Sequence, residues 1–146
     1  MNRSLAWLLT YFVTLAVFTV VDVTWLILVA ADLFKRNVGP ILREQPDLQA
    51  AVAFYVIYAA GICLLAIRPV GRGSAIAATV NGAALGFIAY ATFDLTNLAI
   101  IKGWTLGVAI VDMSWGTLAT AIAAWLGHAA ARRFGAIDAG ARSDAA

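Results

Sequence analysis

Charged residues are scarce in this chain of 146 residues: they make up 12% of it, whereas hydrophobic residues make up 63%. A soluble domain usually carries about 25% charged residues, and so short a chain has too little interior to hide this much apolar surface. Most of that surface must therefore face lipid or pack inside a lipid-embedded bundle. The net charge of +2 and the lack of a long basic run argue against nucleic-acid binding.

Cysteine and histidine are nearly absent. Cys63 is the single cysteine and His128 the single histidine, and they lie far apart in the sequence. No intrachain disulfide can form, and metal binding is not expected. The chain also lacks a phosphate-binding glycine loop, a metalloprotease histidine motif and a Gly-x-Ser-x-Gly motif. These absences argue against the familiar enzyme classes and identify no cofactor, but they do not exclude a membrane enzyme built on carboxylates.

Proline occurs at three positions, all of them outside four long apolar stretches. A bilayer core about 30 Å thick needs about 20 apolar residues in a helix, and helices without proline can satisfy their backbone groups internally. The sequence therefore predicts an all-α fold, an integral membrane four-helix bundle. Its predicted spans are Leu5–Ala31, Leu48–Ile67, Ala75–Leu98 and Trp104–Ala130.

The distribution of basic residues predicts the orientation, because cytoplasmic loops carry an excess of Lys and Arg. With the N-terminus inside, six basic residues are cytoplasmic and four are outside. The chain is thus expected to have both ends in the cytoplasm. The inside set is Arg3, Arg68, Arg72, Arg132, Arg133 and Arg142, and the outside set is Lys35, Arg36, Arg43 and Lys102.

Residues 1–135 are expected to form a single transmembrane domain, and residues 136–146 a disordered tail, since the tail is mostly Ala, Gly, Ser and Asp. In the first outer loop, residues 32–49, apolar residues recur at roughly helical spacing with charges between them. This pattern predicts a short interfacial helix. Pro40 argues against one continuous helix through the loop.

Three acidic residues, Asp22, Asp94 and Asp112, lie inside the apolar spans. A charged side chain at the bilayer centre costs about 2.5–3.5 kcal/mol on insertion scales, so such residues are rare and indicate function by default. Counting along the spans at about 1.5 Å per residue places all three in the outer half of the bundle. Whether they meet depends on the rotation of each helix, which spacing does not fix.

The three aspartates have similar neighbours: Asp22-Val-Thr-Trp25, Asp94-Leu-Thr-Asn97 and Asp112-Met-Ser-Trp115. Residues three apart share a helix face, so each aspartate lies on one face with a Trp or Asn. Tyr90 shares the face of Asp94, and Lys102 is the nearest basic residue and a candidate partner. The predicted ligand- or ion-binding set is Asp22, Asp94, Asp112, Thr24, Thr96, Asn97, Ser114, Trp25, Trp115, Tyr55, Tyr58, Tyr90 and Lys102.

Four segments carry a resemblance to a known family: Val21–Leu26, Tyr90–Ala99, Lys102–Trp104 and Val111–Gly116. Together they resemble a bacterial family of small predicted membrane proteins, the domain of unknown function numbered 2177. The resemblance covers roughly Leu5–Ala130, although Phe93 stands where the family pattern often has Tyr. It implies a four-helix, multi-pass protein of the bacterial inner membrane, and it implies no activity.

Three hypotheses for function follow. The leading one is a non-enzymatic membrane protein whose outer-half pocket binds a proton, a cation or a small ligand, as a small carrier or an accessory subunit. Its partners would be the lipid bilayer and either further copies of the chain or a larger membrane complex. The second is a membrane enzyme acting on a lipid or isoprenoid, with one aspartate as general acid or base and Trp25 and Trp115 walling the pocket. The third is a purely structural subunit.

Overall fold

The computed structural model describes residues 2–137, and helices form nearly all of this part of the chain. Within it, four helical spans are long and apolar enough to cross a membrane: Arg3–Ile41, Leu48–Val70, Ala75–Ile100 and Leu106–Arg133. The predicted all-α, four-span fold is confirmed. Of the predicted tail, Ala136 is buried and Ile137 packs against the core, and residues 138–146 lie outside the described part.

The first span is longer than predicted. It consists of α1 (Arg3–Trp25), a π-helical stretch (Leu26–Ala30) and α2 (Ala31–Val38), and it ends in a 3-10 turn, Gly39–Ile41. The helix expected in the first outer loop is α2, which follows α1 without a break. In the π-helical stretch the Ala31 N–H donates to the Leu26 carbonyl, five residues back, instead of four as in an α-helix.

The second span is also irregular in its second half. α3 (Leu48–Gly61) begins at Asp47, whose Oδ1 accepts hydrogen bonds from the amides of Gln49 (3.1 Å) and Ala50 (3.2 Å). Such a cap satisfies amides that have no partner within the helix. A second π-helical stretch, Ile62–Ile67, and a 3-10 turn, Arg68–Val70, complete the span.

α4 (Ala75–Ile100) and α5 (Leu106–Arg133) form the most extensive helix pair. Small residues let the two backbones approach closely: a Cβ on Gly86 would lie 2.4 Å from the Gly116 carbonyl oxygen, and one on Gly82 would lie 2.5 Å from Ala124 Cβ. α1 and the Ile62–Ile67 stretch pack on the remaining faces of α5. α5 is therefore the central helix of the bundle.

The bundle has two chemically different ends. The arginine end is formed by the start of α1, the turn after the second span and the end of α5, which carry Arg3, Arg68, Arg72, Arg132 and Arg133. The opposite end, called the aspartate end, holds every acidic residue of the described chain: Asp22, Asp32, Glu44, Asp47, Asp94 and Asp112. On the outer surface of the spans, large apolar side chains such as Ile27, Ile57 and Ile76 are at least 70% exposed, as expected of a surface that faces lipid.

Candidate functional site

Asp22 receives hydrogen bonds from the three other spans. The Tyr55 hydroxyl on α3 donates to Oδ2 at 2.9 Å. The Tyr90 hydroxyl on α4 and the Trp115 indole N–H on α5 donate to Oδ1 at 3.3 Å and 3.2 Å. The Asp22 side chain, only 5% exposed, is thereby held in place and provided with the donors that a buried carboxylate requires.

Two ring contacts support this network. Tyr90 reaches Asp22 by passing over Gly116, where a Cβ would lie 2.1 Å from Tyr90 Cγ, so only glycine fits at that position. The Trp115 ring stacks on Trp25, with centroids 4.7 Å apart and an interplanar angle of 11°. α5 therefore contributes both the space for Tyr90 and the indole that bonds Asp22.

Asp94 has a different environment. It is fully buried, and neither carboxylate oxygen has a hydrogen-bond partner within residues 2–137. The Trp104 indole and the Asp112 carboxyl lie beside it, but neither completes a hydrogen bond to it. The indole N–H groups of Trp25 and Trp104 are likewise buried without a partner in the described chain. The aspartate end thus contains both donors and acceptors that are unsatisfied.

Asp112 lies between the other two aspartates and interacts electrostatically with both. It is 7% exposed, and its polar neighbours are the Asp94 carboxyl and the Trp25 indole, whose N–H completes no hydrogen bond within residues 2–137. Asp112 is also one of the residues that line a cavity, whereas Asp94 is not. Asp112 is therefore the aspartate whose oxygens are most available to another molecule.

The cavity has a volume of about 430 Å³. Its walls are largely apolar and aromatic, and they come from all four spans, including the π-helical stretch Leu26–Ala30 and α2. The lining residues are Asp22, Trp25, Leu26, Phe34, Ala51, Phe54, Tyr55, Tyr58, Ala89, Tyr90, Phe93 and Asp112.

The side of the cavity between α3 and α4 is loosely packed. α4 meets the second span mainly through the Ile62–Ile67 stretch, so α3 and α4 have few contacts with each other. Two lining side chains at this gap, Phe54 on α3 and Phe93 on α4, are 41% and 53% exposed. Residues of the loosely packed side of the cavity therefore also form part of the exposed apolar surface of the spans.

α2 covers the aspartate end of the cavity. Phe34 lines the cavity and contacts the Trp104 ring at a centroid distance of 5.4 Å. Trp104 follows Gly103, whose φ of +92° suits glycine and whose Cβ position lies 2.5 Å from the Asn37 carbonyl oxygen. The turn between α4 and α5 is thus docked on the end of α2.

The structure brings most of the predicted site residues together. Six of them line the cavity, and Trp115 and Asp94 lie directly behind it. Tyr58 is among the lining residues, but its hydroxyl shares a hydrogen bond of 2.9 Å with Thr120 and not with an aspartate. The six are Asp22, Trp25, Tyr55, Tyr58, Tyr90 and Asp112.

Three predicted oxygen donors lie elsewhere. Thr24, Thr96 and Ser114 are exposed, and each hydroxyl donates to the carbonyl four residues before it. Each follows an aspartate by two residues, and at about 100° per residue this spacing places it on the opposite helix face. The i+2 spacing therefore places these residues away from the cavity.

Asn97 and Lys102 also stand apart from the cavity. Asn97 is half-buried one turn beyond Asp94 and does not line the cavity. Lys102 is exposed in the turn before α5, and it forms no ion pair with a described residue. Proximity in sequence suggested Lys102 as the partner of the aspartates, but Lys102 forms no ion pair with any of the three.

Sequence reasoning missed Gly116 and the apolar lining residues Leu26, Phe34, Ala51, Phe54, Ala89 and Phe93. Apolar residues in a span look alike in the sequence, whether they face lipid, protein or a cavity. Within residues 2–137, no group of three or more His, Cys, Asp or Glu side chains is arranged to hold a metal ion. The chemistry of the site is that of carboxylates in an apolar, aromatic surrounding.

The family model described as Predicted membrane protein (DUF2177) matches residues 7–129. The chain therefore belongs to this family, as its sequence motifs suggested, and it is a multi-pass membrane protein. The matched range includes most of each of the four spans and every residue that lines the cavity. No curated protein and no solved structure matches the chain.

Proposed function

We propose that this protein binds an amphipathic small molecule with a cationic or hydrogen-bond-donating end, which enters the cavity from the bilayer between α3 and α4. One observation carries the proposal: Asp112 lines a largely apolar cavity beside the buried Asp94, and the indole N–H of the neighbouring Trp25 completes no hydrogen bond within residues 2–137. A buried carboxylate without a donor is costly. A ligand that brings a donor or a positive charge removes that cost.

The size and walls of the cavity support this ligand class. Its volume of about 430 Å³ lies within the range of about 300–1,000 Å³ that is typical of small-molecule sites. The aromatic side chains of Phe34, Phe54 and Phe93 suit the apolar part of a ligand. Aromatic faces also attract cations, so an ammonium group suits both Asp112 and the surrounding rings.

The three aspartates take different roles in this proposal. Asp22 is a positioning residue, because its oxygens already accept three hydrogen bonds and tie the four spans together. Asp112 anchors the polar end of the ligand. Asp94, behind Asp112, adds negative charge that favours a cation over a neutral or anionic molecule.

We further propose that the protein lies in a bacterial inner membrane with both ends in the cytoplasm, as a small carrier or an accessory subunit. The arginine end supports the orientation, since basic residues concentrate on the cytoplasmic side. In this orientation the cavity lies in the outer half of the bilayer. Its partners besides the lipid bilayer would be further copies of the chain or a larger membrane complex.

The test uses three amphiphiles with the same chain length: dodecylamine, dodecanol and dodecanoate. Each is added at equal concentration to the full chain in a neutral detergent, and the unfolding temperature is measured. We expect dodecylamine to raise it, dodecanol to act weakly and dodecanoate to have no effect. Asp112→Asn should weaken dodecylamine binding about tenfold or more, since a hydrogen bond to a charged group contributes about 1.5–3 kcal/mol.

Two further variants make the test specific. Asp32→Asn removes an exposed carboxylate of α2 and should leave the dodecylamine effect intact. Ala89→Phe fills the cavity without touching a carboxylate and should abolish the effect. If all three amphiphiles act alike, or if Asp32→Asn weakens binding as much as Asp112→Asn, the proposal is wrong and the structural-subunit hypothesis gains support.

A further inference from the structure

A second cleft lies at the arginine end, on the opposite side of the bilayer from the cavity. It has a volume of about 560 Å³ and runs between α1 and the second span. Two arginines and a serine form its mouth, and aromatic and apolar side chains form its floor. Its lining residues are Arg3, Ser4, Trp7, Tyr11, Ala60, Cys63, Leu64 and Arg68.

The mouth of the cleft is positively charged. Arg3 is the first residue of α1, and Arg68 is the first residue of the 3-10 turn that ends the second span. The two guanidinium groups therefore belong to neighbouring ends of two helical spans. Both residues are exposed, and neither forms an ion pair within residues 2–137. Every acidic residue of the described chain belongs to the aspartate end. The mouth therefore offers two cations without a neighbouring carboxylate from residues 2–137.

The floor of the cleft is apolar and leads towards the bilayer core. Trp7 and Ala60 are half-buried, Cys63 is buried, and Leu64 is 54% exposed. The Tyr11 hydroxyl donates to the Val56 carbonyl at 3.2 Å and joins the two helices at the deep end. A molecule in the cleft would thus contact guanidinium groups at one end and lipid-facing apolar side chains along its length.

We propose that this cleft binds one anionic phospholipid, with its phosphate between Arg3 and Arg68 and one acyl chain along Trp7, Ala60 and Leu64. Arginine bonds phosphate oxygens in a bidentate manner, and basic clefts between transmembrane helices bind anionic headgroups. Trp7 lies at the depth where tryptophan anchors a helix to the interface. A lipid fits better than free phosphate because most of the lining is apolar and continuous with the surface that faces acyl chains.

This site is independent of the cavity at the aspartate end. The two share no lining residue, and their preferred ligands have opposite charge. Lipid binding at the cleft can therefore be measured in a variant whose cavity at the aspartate end no longer binds a ligand.

The experiment counts lipids bound to the full chain by native mass spectrometry from a neutral detergent. Phosphatidylglycerol is compared with phosphatidylcholine of the same acyl chains. Inorganic phosphate is added as a competitor that has the phosphate group but no acyl chains. We expect one phosphatidylglycerol to bind selectively and phosphate to compete poorly. Arg3→Gln and Arg68→Gln should each weaken binding about fivefold, the contribution of one basic residue near an anionic surface.

A matched control removes two positive charges from the other end. Lys35→Gln with Arg36→Gln on α2 should leave phosphatidylglycerol binding unchanged. Ala60→Trp keeps both arginines but obstructs the floor, and should weaken lipid binding without changing the response to phosphate. The proposal is overturned if the two lipids bind equally, if the α2 control loses as much affinity as the arginine variants, or if inorganic phosphate displaces the lipid at similar concentration. Far-ultraviolet circular dichroism of each variant verifies that it is folded.

Discussion

Gly116 lies against the ring of Tyr90 so closely that a Cβ at position 116 would be 2.1 Å from Tyr90 Cγ. The hydroxyl of the same tyrosine donates a hydrogen bond to Asp22 on α1. A missing side chain on α5 thus allows α4 to reach the carboxylate of α1. This relationship makes the polar network sensitive to a single methyl group.

Gly116→Ala should therefore destabilise the protein. The added methyl displaces Tyr90 and strains the α4–α5 contact, and overpacking of this kind costs about 1–3 kcal/mol. The unfolding temperature in detergent measures the loss. Gly107→Ala is the matched control, because the nearest atom to its added Cβ is 3.8 Å away, and it should not destabilise. Equal loss in both variants would contradict the proposed contact.

Tyr55→Phe should lower stability by about 1.5–3 kcal/mol, because it removes a hydrogen bond to the Asp22 carboxylate. Tyr11→Phe removes a bond to a neutral carbonyl and should cost only about 0.5–1.5 kcal/mol. Measurement of the free energy of unfolding of both variants under the same conditions tests this order. The reverse order would indicate that Asp22 does not depend on the Tyr55 hydroxyl.

Asp22→Asn should destabilise the protein, whereas Asp94→Asn should not. Asp22 accepts three hydrogen bonds. Removing its charge weakens these bonds and should lower the free energy of unfolding by about 1–3 kcal/mol. Asp94 has no hydrogen-bond partner within residues 2–137 and lies beside Asp112. Loss of its charge removes like-charge repulsion and a desolvation cost, so Asp94→Asn should be at least as stable as the parent. A comparable loss in both variants would refute this difference.

The triple variant Thr24→Val, Thr96→Val and Ser114→Ala should bind dodecylamine as the parent does. All three hydroxyls face away from the cavity and bond their own helix backbone. Titration of the unfolding temperature against dodecylamine provides the measurement. Weaker binding would mean that at least one of these residues contacts the ligand.

The sequence was sufficient for the fold because span length and hydropathy depend on a local count of residues. It also placed Asp22, Asp94 and Asp112 at one end of the bundle, since depth follows from the rise per residue. It did not predict which of them would be hydrogen-bonded, because that depends on the rotation of each helix. Within the described chain, Asp22 is hydrogen-bonded and Asp94 is not, because the rotation of their helices directs only Asp22 towards side-chain donors.

The i+3 and i+2 neighbours show the same distinction. Trp25, three residues after Asp22, lines the cavity with it, whereas Thr24, two residues after it, faces away. Trp115 was predicted from its spacing to Asp112 but bonds Asp22. Helical periodicity identified the correct face, and packing between helices decided the partner.

The π-helical stretch Leu26–Ala30 is equivalent to one inserted residue in an otherwise regular helix. An extra residue rotates everything beyond it by about 100°, so the facing of α2 depends on this insertion. Deleting one residue between 26 and 30 would turn Phe34 off the cavity and undock α2 from the turn at Gly103. Among homologous chains, a one-residue gap at this place would identify those in which a different face of α2 covers the cavity.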